Sequence, residues 1–172
     1  PDAHAPSEQH GFVQTLPFVQ HWDYSGAGTE RSVHDSLQRL GLARLDTVFV
    51  HDMDERNHGQ ASEAVFAQVV DETLPTLKRL QAQGLIGHIG LGVNDQQIVM
   101  RLLQHADLDV VLLAGRYTLL DTSALPELLP LLQRKGVALA LGGIFNSGIL
   151  ATRVDAARVL RFNYEPAQAS WI

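Results

Sequence analysis

The chain has 172 residues, a length that suits one globular domain and is too short for two ordinary ones. Hydrophobic residues make up 45% and charged residues 19%, so the chain can bury a core and is not disordered by composition. The formal net charge is −6 and no block of basic residues is present, which makes nucleic-acid binding a poor hypothesis.

The absence of cysteine excludes a disulfide scaffold, a zinc ribbon and a cysteine nucleophile. No apolar run reaches the roughly 18 residues that a membrane-spanning helix needs, and no secretory leader is visible. We therefore expect a soluble, cytoplasmic protein that does not bind a membrane. The chain begins at Pro1 without an initiator Met, and 168–172 is typical of the first turn of a continuing element. We therefore also expect it to be part of a longer polypeptide.

Helical patterns alternate with short apolar runs along the chain. In order, the predicted elements are helix 29–40, strand 45–50, helix 62–83, strand 86–93, helix 96–105, strand 108–114, helix 123–134 and strand 137–141. Nearly continuous apolar runs are typical of strands covered on both faces, as in a parallel sheet. Their alternation with helices predicts βαβ units with right-handed crossovers.

Capping residues and prolines set the expected helix boundaries. Thr29 is the expected N-cap of the first helix and Gly41 its stop. Pro75 is expected to break the second helical stretch in two, with Thr73 capping the second part. Pro130 fits poorly inside the last predicted helix, because an interior proline costs about 3 kcal/mol.

Two architectures fit this alternation, an open doubly wound sheet and a (β/α)8 barrel. A dinucleotide-binding sheet should show a glycine-rich turn after its first strand, but the first clear strand here is followed by His51-Asp52-Met53-Asp54. This favours the barrel. Because four strands cannot close a barrel that needs about 250 residues, we expect 1–172 to be a single partial barrel domain.

His51 closes the first predicted strand and is the sharpest candidate for a functional side chain. Imidazole suits an acid/base role or a hydrogen bond to a substrate carbonyl, and a buried histidine with a satisfied ring is the alternative. Asp52 could orient the ring or cap a helix in the following loop. A metal site at His51, Asp52, Asp54 and His58 competes, but this loop follows no ligand-spacing rule, so we expect no metal.

The other strand ends also carry polar or flexible residues. Asn94 offers a donor and an acceptor, which matches a carboxamide such as that of nicotinamide, or it caps the next helix. The glycine-rich segment 142–148 either gives a ligand access to backbone N–H groups, as in phosphate sites, or is a flexible turn. Asp23 and Tyr24 follow no predicted strand and are interpreted as loop structure or a pocket wall.

Four segments carry a resemblance to a known family: DYSGAGTERSVHDSLQRLGLARLDTVFVHD, GLIGHIGLGVN, LLAGRYTLLD and GGIFNSGILA. Together they resemble the aldo-keto reductase superfamily, and within it the L-fucose, D-threo-aldose and pyridoxal dehydrogenase branch. The match runs in order from about residue 18 to the end of the chain. It implies a (β/α)8 TIM barrel, of which this chain holds about strands four to seven, and NADP or NAD bound across the strand ends.

The resemblance also implies residue roles. Of the family's tetrad of Asp, Tyr, Lys and His, only the His maps onto this chain, at His51; Tyr24 follows the place of the third strand and cannot replace the tetrad Tyr. The family's Ser-Asn pair corresponds to Val93-Asn94, and its Gln on the sixth strand corresponds to Ala114, near Arg116. Implied cofactor-binding residues are Asn94, Arg116, Gly143, Phe145, Asn146, Ser147, Gly148 and Leu150. Candidate walls of the substrate pocket are Trp22, Tyr24, Asp52 and Phe145.

The function implied is that of an NAD(P)-dependent oxidoreductase acting on an aldose, lactol or aldehyde, a small-molecule carbonyl or sugar. The alternative is a catalytically incomplete relative that binds nucleotide or a protein partner without turnover. Three tetrad residues and the last helix–strand–helix unit have no match here. We therefore expect the 172-residue chain alone to lack activity, and to aggregate or form a homo-oligomer through its open sheet edges.

Overall fold

The computed structural model describes residues 8–9, 12–14 and 16–146. In chain order their elements are β1 (Glu8–Gln9), β2 (Phe12–Val13), α1 (Gly26–Leu40), β3 (Leu45–His51), α2 (Glu55–His58), a 3-10 turn (Gly59–Ala61), α3 (Ser62–Gln68), a π-helical turn (Val69–Thr73), α4 (Leu74–Ala82), β4 (Ile86–Val93), α5 (Gln96–Leu102), β5 (Val110–Ala114), α6 (Leu128–Lys135) and β6 (Ala138–Gly142). No helix within these ranges is long and apolar enough to cross a membrane.

Strands β3, β4, β5 and β6 form one parallel sheet in that order, which confirms the predicted sheet. His51 lies opposite Gly92, and Ala114 lies opposite Gly142. The short strands β1 and β2 form a separate antiparallel pair. Because the spatial order equals the chain order, each crossover returns to the next position without the reversal that defines a doubly wound sheet. The topology is that of consecutive units of a (β/α)8 barrel.

The two faces of the sheet differ in side-chain size. One face packs under the helices and contains Ile89, Leu91, Val111 and Leu113, all with 0% exposure. We call the other the inner face; it contains Phe49, His51, Gly90, Gly92, Leu112, Ala114 and Gly142. A Cβ atom at Gly92 would lie 3.4 Å from His51 Cδ2 and 3.9 Å from Leu112 Cδ2. The glycines of β4 therefore leave room for the side chains of the neighbouring strands on this face.

Helix α1 begins earlier than its capping pattern predicts. Ser25 is the N-cap, and its hydroxyl oxygen accepts a hydrogen bond from Gly28 N at 3.0 Å. The Asp23 carboxylate accepts hydrogen bonds from the backbone and the hydroxyl of Ser25 and so fixes the cap. The prediction of Thr29 as N-cap is wrong, whereas Gly41 ends the helix in a left-handed conformation (φ 66°), as predicted.

The two prolines lie in the first turns of helices. Pro75 is in the first turn of α4, and the π-helical turn Val69–Thr73 separates this helix from α3, so the predicted division of the second helical stretch in two is confirmed. Thr73 has helical dihedral angles and makes no capping bond, so its predicted capping role is wrong. Helix α6 begins at Leu128, which places Pro130 in the first turn, where an N–H has no intrahelical acceptor. The predicted start of that helix at 123 is wrong for this reason.

Candidate active site

Four candidate residues lie at the same edge of the sheet. His51 ends β3, Asn94 directly follows β4, Arg116 follows β5 by two residues, and Gly143 directly follows β6. The carboxyl ends of parallel strands share one edge. Because His51 lies opposite Gly92, its Cα is roughly 8 Å from that of Asn94 at ordinary strand spacing and rise. The topology therefore brings these residues together; their roles in binding and catalysis stay predictions.

The His51 ring is accessible and paired. Its side chain is 65% exposed in the 172-residue chain, unlike the buried histidine of the alternative interpretation. Its Nδ1 atom lies 2.9 Å from Asp52 Oδ2, and because a carboxylate oxygen only accepts, Nδ1 carries the hydrogen. Helix α2 is capped by Asp54, whose Oδ1 accepts from Asn57 N at 3.1 Å, so Asp52 is not the cap. Asp52 instead holds the histidine ring through Nδ1, and Nε2 has no hydrogen-bond partner among the described residues.

Tyr24 contacts the backbone at the end of β3. Its hydroxyl lies 2.7 Å from His51 O, 2.9 Å from Asp52 O and 3.1 Å from His58 Nε2. Burial, followed by the negative charges of Asp52 and Asp54, raises the pKa of Tyr24 far above its usual range. The hydroxyl is therefore protonated at every physiological pH and acts as a hydrogen-bond donor rather than as an acid.

The ring of Trp22 completes an aromatic cluster beside β3. It stacks on Tyr24 with centroids 6.2 Å apart and meets the edge of His58 at 5.1 Å. Trp22, Tyr24 and His51 are among the residues that line a cleft of about 260 Å³, which runs along β3, the first strand of the sheet, beside α1 and α4. Two of the predicted pocket walls thus share a cleft with His51, whereas Asp52 is not among its lining residues. The contact between His58 and Tyr24 was not predicted from the sequence, because the sequence gives the residue types but not the distance between the two side chains.

Asn94 and Arg116 are linked across the ends of β4 and β5. Asn94 Nδ2 donates to Ala114 O at 3.1 Å, and Arg116 Nε donates to Asn94 O at 2.8 Å. Helix α5 is capped by Asp95, whose side chain accepts from Gln97 N. The alternative reading of Asn94 as the helix cap is therefore wrong. Its exposed amide projects over the end of β5 instead.

Arg116 also pairs with a carboxylate. Its Nη1 atom lies 3.2 Å from Asp121 Oδ2. Partial burial acts to raise the pKa of Asp121, but hydrogen bonds from Ser123 and Arg116 outweigh it and hold the pKa below its usual value. Asn94 and Arg116 line a separate cleft of about 370 Å³. The candidate site is thus divided between two clefts, a division that the linear sequence does not show.

The loop after β6 begins with a close approach between strands. Gly143 has a φ of 62°, and a Cβ atom there would lie 3.4 Å from Gly115 N. Asn146, which is 2% exposed, donates its backbone N–H to Gly143 O at 2.9 Å, and Phe145 is 73% exposed. The last three predicted cofactor residues, Ser147, Gly148 and Leu150, lie outside the described residues.

Residues of the competing metal-site interpretation make other contacts. His58 Nε2 lies 2.8 Å from the carbonyl oxygen of Asp52, and the Asp54 carboxylate accepts hydrogen bonds from Asn57. In the part of the chain that the structure describes, no group of three or more His, Cys, Asp or Glu side chains could hold a metal ion.

Comparison with known proteins identifies the family. The model of the Aldo/keto reductase family matches residues 16–169. The chain belongs to the aldo/keto reductase family. It is 42% identical over 163 residues to pyridoxal 4-dehydrogenase from Microbacterium luteolum, covering 94% of this chain and 47% of that protein. It is 33% identical over 143 residues to D-threo-aldose 1-dehydrogenase from a Pseudomonas species, covering 83% and 41%. The chain thus spans about half the length of these curated relatives, and the resemblance inferred from its sequence is confirmed.

A solved structure supports the fold assignment. The holo form of an aldo-keto reductase from Bacillus halodurans superposes with a TM-score of 0.66 at 24% identity, covering 87% of this chain and 47% of that chain. At this level of identity the likeness concerns the fold. The predicted fold class, an α/β chain with part of a (β/α)8 barrel, is confirmed.

Proposed function

We propose that the protein acts as an NAD(P)-dependent oxidoreductase that interconverts an aldose, lactol or aldehyde with its oxidised or reduced partner. The observation that carries this proposal is the position of His51 at the sheet edge shared by Asn94, Arg116 and Gly143, in a chain of the aldo/keto reductase family. NADP or NAD, when bound, would donate or accept the hydride. The substrate class is supported by the relatives named pyridoxal 4-dehydrogenase and D-threo-aldose 1-dehydrogenase.

Asn94 fits the carboxamide of a nicotinamide cofactor. Its amide is exposed, and among the described residues one of its two N–H groups has an acceptor, Ala114 O. The remaining N–H and the oxygen match the acceptor and donor of a primary carboxamide. Arg116 fixes the backbone carbonyl of Asn94 and so holds the residue against β5. Gly143 allows the β6 loop to approach this edge closely, because it has no side chain to obstruct Gly115.

His51 is suited to contact the substrate oxygen. Asp52 holds its Nδ1, and Nε2, which has no partner among the described residues, would hydrogen-bond a carbonyl or hydroxyl oxygen of the substrate. Trp22 and Tyr24 offer aromatic surface in the same cleft, which suits the apolar face of a sugar or an aromatic aldehyde. His51 thus orients the reacting oxygen, and the aromatic rings orient the rest of the molecule.

The alternative is nucleotide binding without turnover by the 172-residue chain on its own. What supports it is the resemblance itself, which carries over one tetrad residue, His51, and leaves the Asp, Tyr and Lys without counterparts. This alternative predicts cofactor binding through Asn94 and no absorbance change at the nicotinamide wavelength with any sugar or aldehyde.

Titration of NADPH and NADH against the purified protein tests the proposal. We expect Asn94→Ala to weaken binding about tenfold, which is what the loss of one or two hydrogen bonds costs. Gln133→Ala is the matched control, because it removes an exposed amide from α6, away from both clefts. Equal affinities in the two variants, or no binding of either nucleotide by the wild type, would contradict the proposed site.

A further inference from the structure

Asp52 has an unusual backbone conformation directly after His51. Its φ is 41°, in the left-handed region that few residues other than glycine, asparagine and aspartate enter. Successive side chains of an extended strand point to opposite faces, so a carboxylate at this position would normally point away from the histidine ring. The left-handed turn instead brings Asp52 Oδ2 to 2.9 Å from His51 Nδ1. The pairing of adjacent residues thus depends on this conformation.

Three groups hold Asp52 in place through its backbone. Its N–H donates to Gly92 O at 3.2 Å. Its carbonyl oxygen lies 2.8 Å from His58 Nε2 and 2.9 Å from the Tyr24 hydroxyl. Since a carbonyl oxygen only accepts, His58 carries its hydrogen on Nε2. The Tyr24 hydroxyl has one hydrogen to share between the carbonyls of His51 and Asp52, and its oxygen is left to accept from His58.

The side chain of Asp52 is held at an energetic cost. Its Oδ1 is buried and has no hydrogen-bond partner among the described residues. A buried acceptor without a partner and a left-handed backbone at a residue other than glycine are both unfavourable, by about 1–3 kcal/mol each. Such costs persist where the surroundings over-determine the geometry, and they concentrate at functional sites.

We propose that Tyr24 and His58 are positioning residues for His51. They fix the carbonyl of Asp52, and Asp52 in turn fixes the orientation of the His51 ring with the hydrogen on Nδ1 and with Nε2 free. Trp22 packs against both rings and keeps this clamp, which we define as Tyr24, His58 and Asp52, in one arrangement. The catalytic consequence rests on the proposed function, whereas the ring geometry does not.

Nitrogen-15 NMR of the histidine rings tests the clamp without turnover. In the wild-type protein we expect long-range proton–nitrogen correlations to show His51 protonated on Nδ1 and His58 protonated on Nε2. Tyr24→Phe should convert His51 to a mixture of the two tautomers. Tyr117→Phe is the matched control, because Tyr117 packs on the core and makes no hydroxyl hydrogen bond in the described structure. It should leave both rings unchanged.

Two variants of His58 give an independent comparison. His58→Gln retains an N–H near the position of Nε2 and should preserve the His51 tautomer, whereas His58→Leu removes the donor and should not. This pair decides the question if Tyr24→Phe fails to fold. A wild-type spectrum with His51 protonated on Nε2, or unchanged His51 signals in both Tyr24→Phe and His58→Leu, would overturn the proposal.

Kinetics extend the test to catalysis. In the active protein, Tyr24→Phe and His58→Leu should each lower kcat on the order of tenfold to a hundredfold, as misplacement of a reacting group does, and should leave the KM for the cofactor unchanged. His58→Gln should recover most of the loss. If no substrate turns over, the proposed function fails and the NMR comparison still decides the clamp. If kcat is unaffected while the His51 tautomer changes, the positioning role is wrong.

Discussion

The carboxyl ends of β3 and β4 hold their candidate functional residues in different ways. His51 is supported by two half-buried side chains, Tyr24 and His58. Both contact the carbonyl oxygen of Asp52, whose backbone is in the left-handed conformation. Asn94 is held by exposed hydrogen bonds to Ala114 and Arg116. A group that must meet a reacting oxygen requires one fixed geometry, whereas an amide that binds a cofactor tolerates small adjustments. The two strand ends therefore differ in the way that the roles we propose for His51 and Asn94 require.

Replacing His51 should affect turnover but not cofactor binding, and it should give the largest effect of the variants compared. In a complete chain, we expect His51→Ala to lower kcat by roughly a hundredfold or more, because it removes the group that we propose contacts the substrate oxygen. Cofactor affinity should change little, since Asn94 lines a different cleft. Stopped-flow turnover and nucleotide titration on the same sample measure both quantities. Loss of cofactor affinity with turnover intact at saturation would reverse the assigned roles.

The glycines of β4 allow a sharper test of how the inner face supports β3. A Cβ atom at Gly90 would lie 2.7 Å from Phe49 Cδ1 and 2.9 Å from Val110 Cγ1, whereas one at Gly92 meets its nearest atom at 3.4 Å. Gly90→Ala should therefore lower the free energy of unfolding by about 1–3 kcal/mol, as overpacking does. Gly92→Ala is the matched variant and should cost less. Urea unfolding measures both, and equal losses would show that Phe49 moves freely.

Adjacent polar residues after β4 separate ligand binding from helix capping. Asp95→Ala should lower the free energy of unfolding by about 1 kcal/mol, because it removes the N-cap of α5. Asn94→Ala should have little effect on stability and should instead weaken nucleotide binding. Thermal unfolding followed by circular dichroism gives the first quantity. A larger stability loss for Asn94→Ala than for Asp95→Ala would mean that Asn94 is structural.

Local patterns predict much of this fold, and long-range contacts account for what they miss. The four strands are recognisable because their apolar runs are continuous, and Gly41 and Gly136 end helices in the left-handed conformation that their position predicts. The choice of Ser25 over Thr29 as cap depends on Asp23, which favours one of two suitable residues. The site at β3 could not be predicted in detail, because Tyr24 reaches His51 across 27 residues of chain.

Acid titration should give the smallest effect, and it concerns the ion pair of Arg116 and Asp121 that supports the end of β5. The pKa of Asp121 is lower in the folded protein, so its contribution to stability is complete above the unfolded value of about 3.9 and is lost as pH falls through the folded value. Asp121→Asn should therefore flatten the loss of stability below about pH 4. Asp107→Asn, at a carboxylate that is 94% exposed, is the control and should follow the wild type.

Arg116→Gln should move the pKa of Asp121 up toward its usual value, and carboxyl NMR measures this change. An unchanged pKa would show that Ser123 alone holds the carboxylate and that Arg116 serves only Asn94.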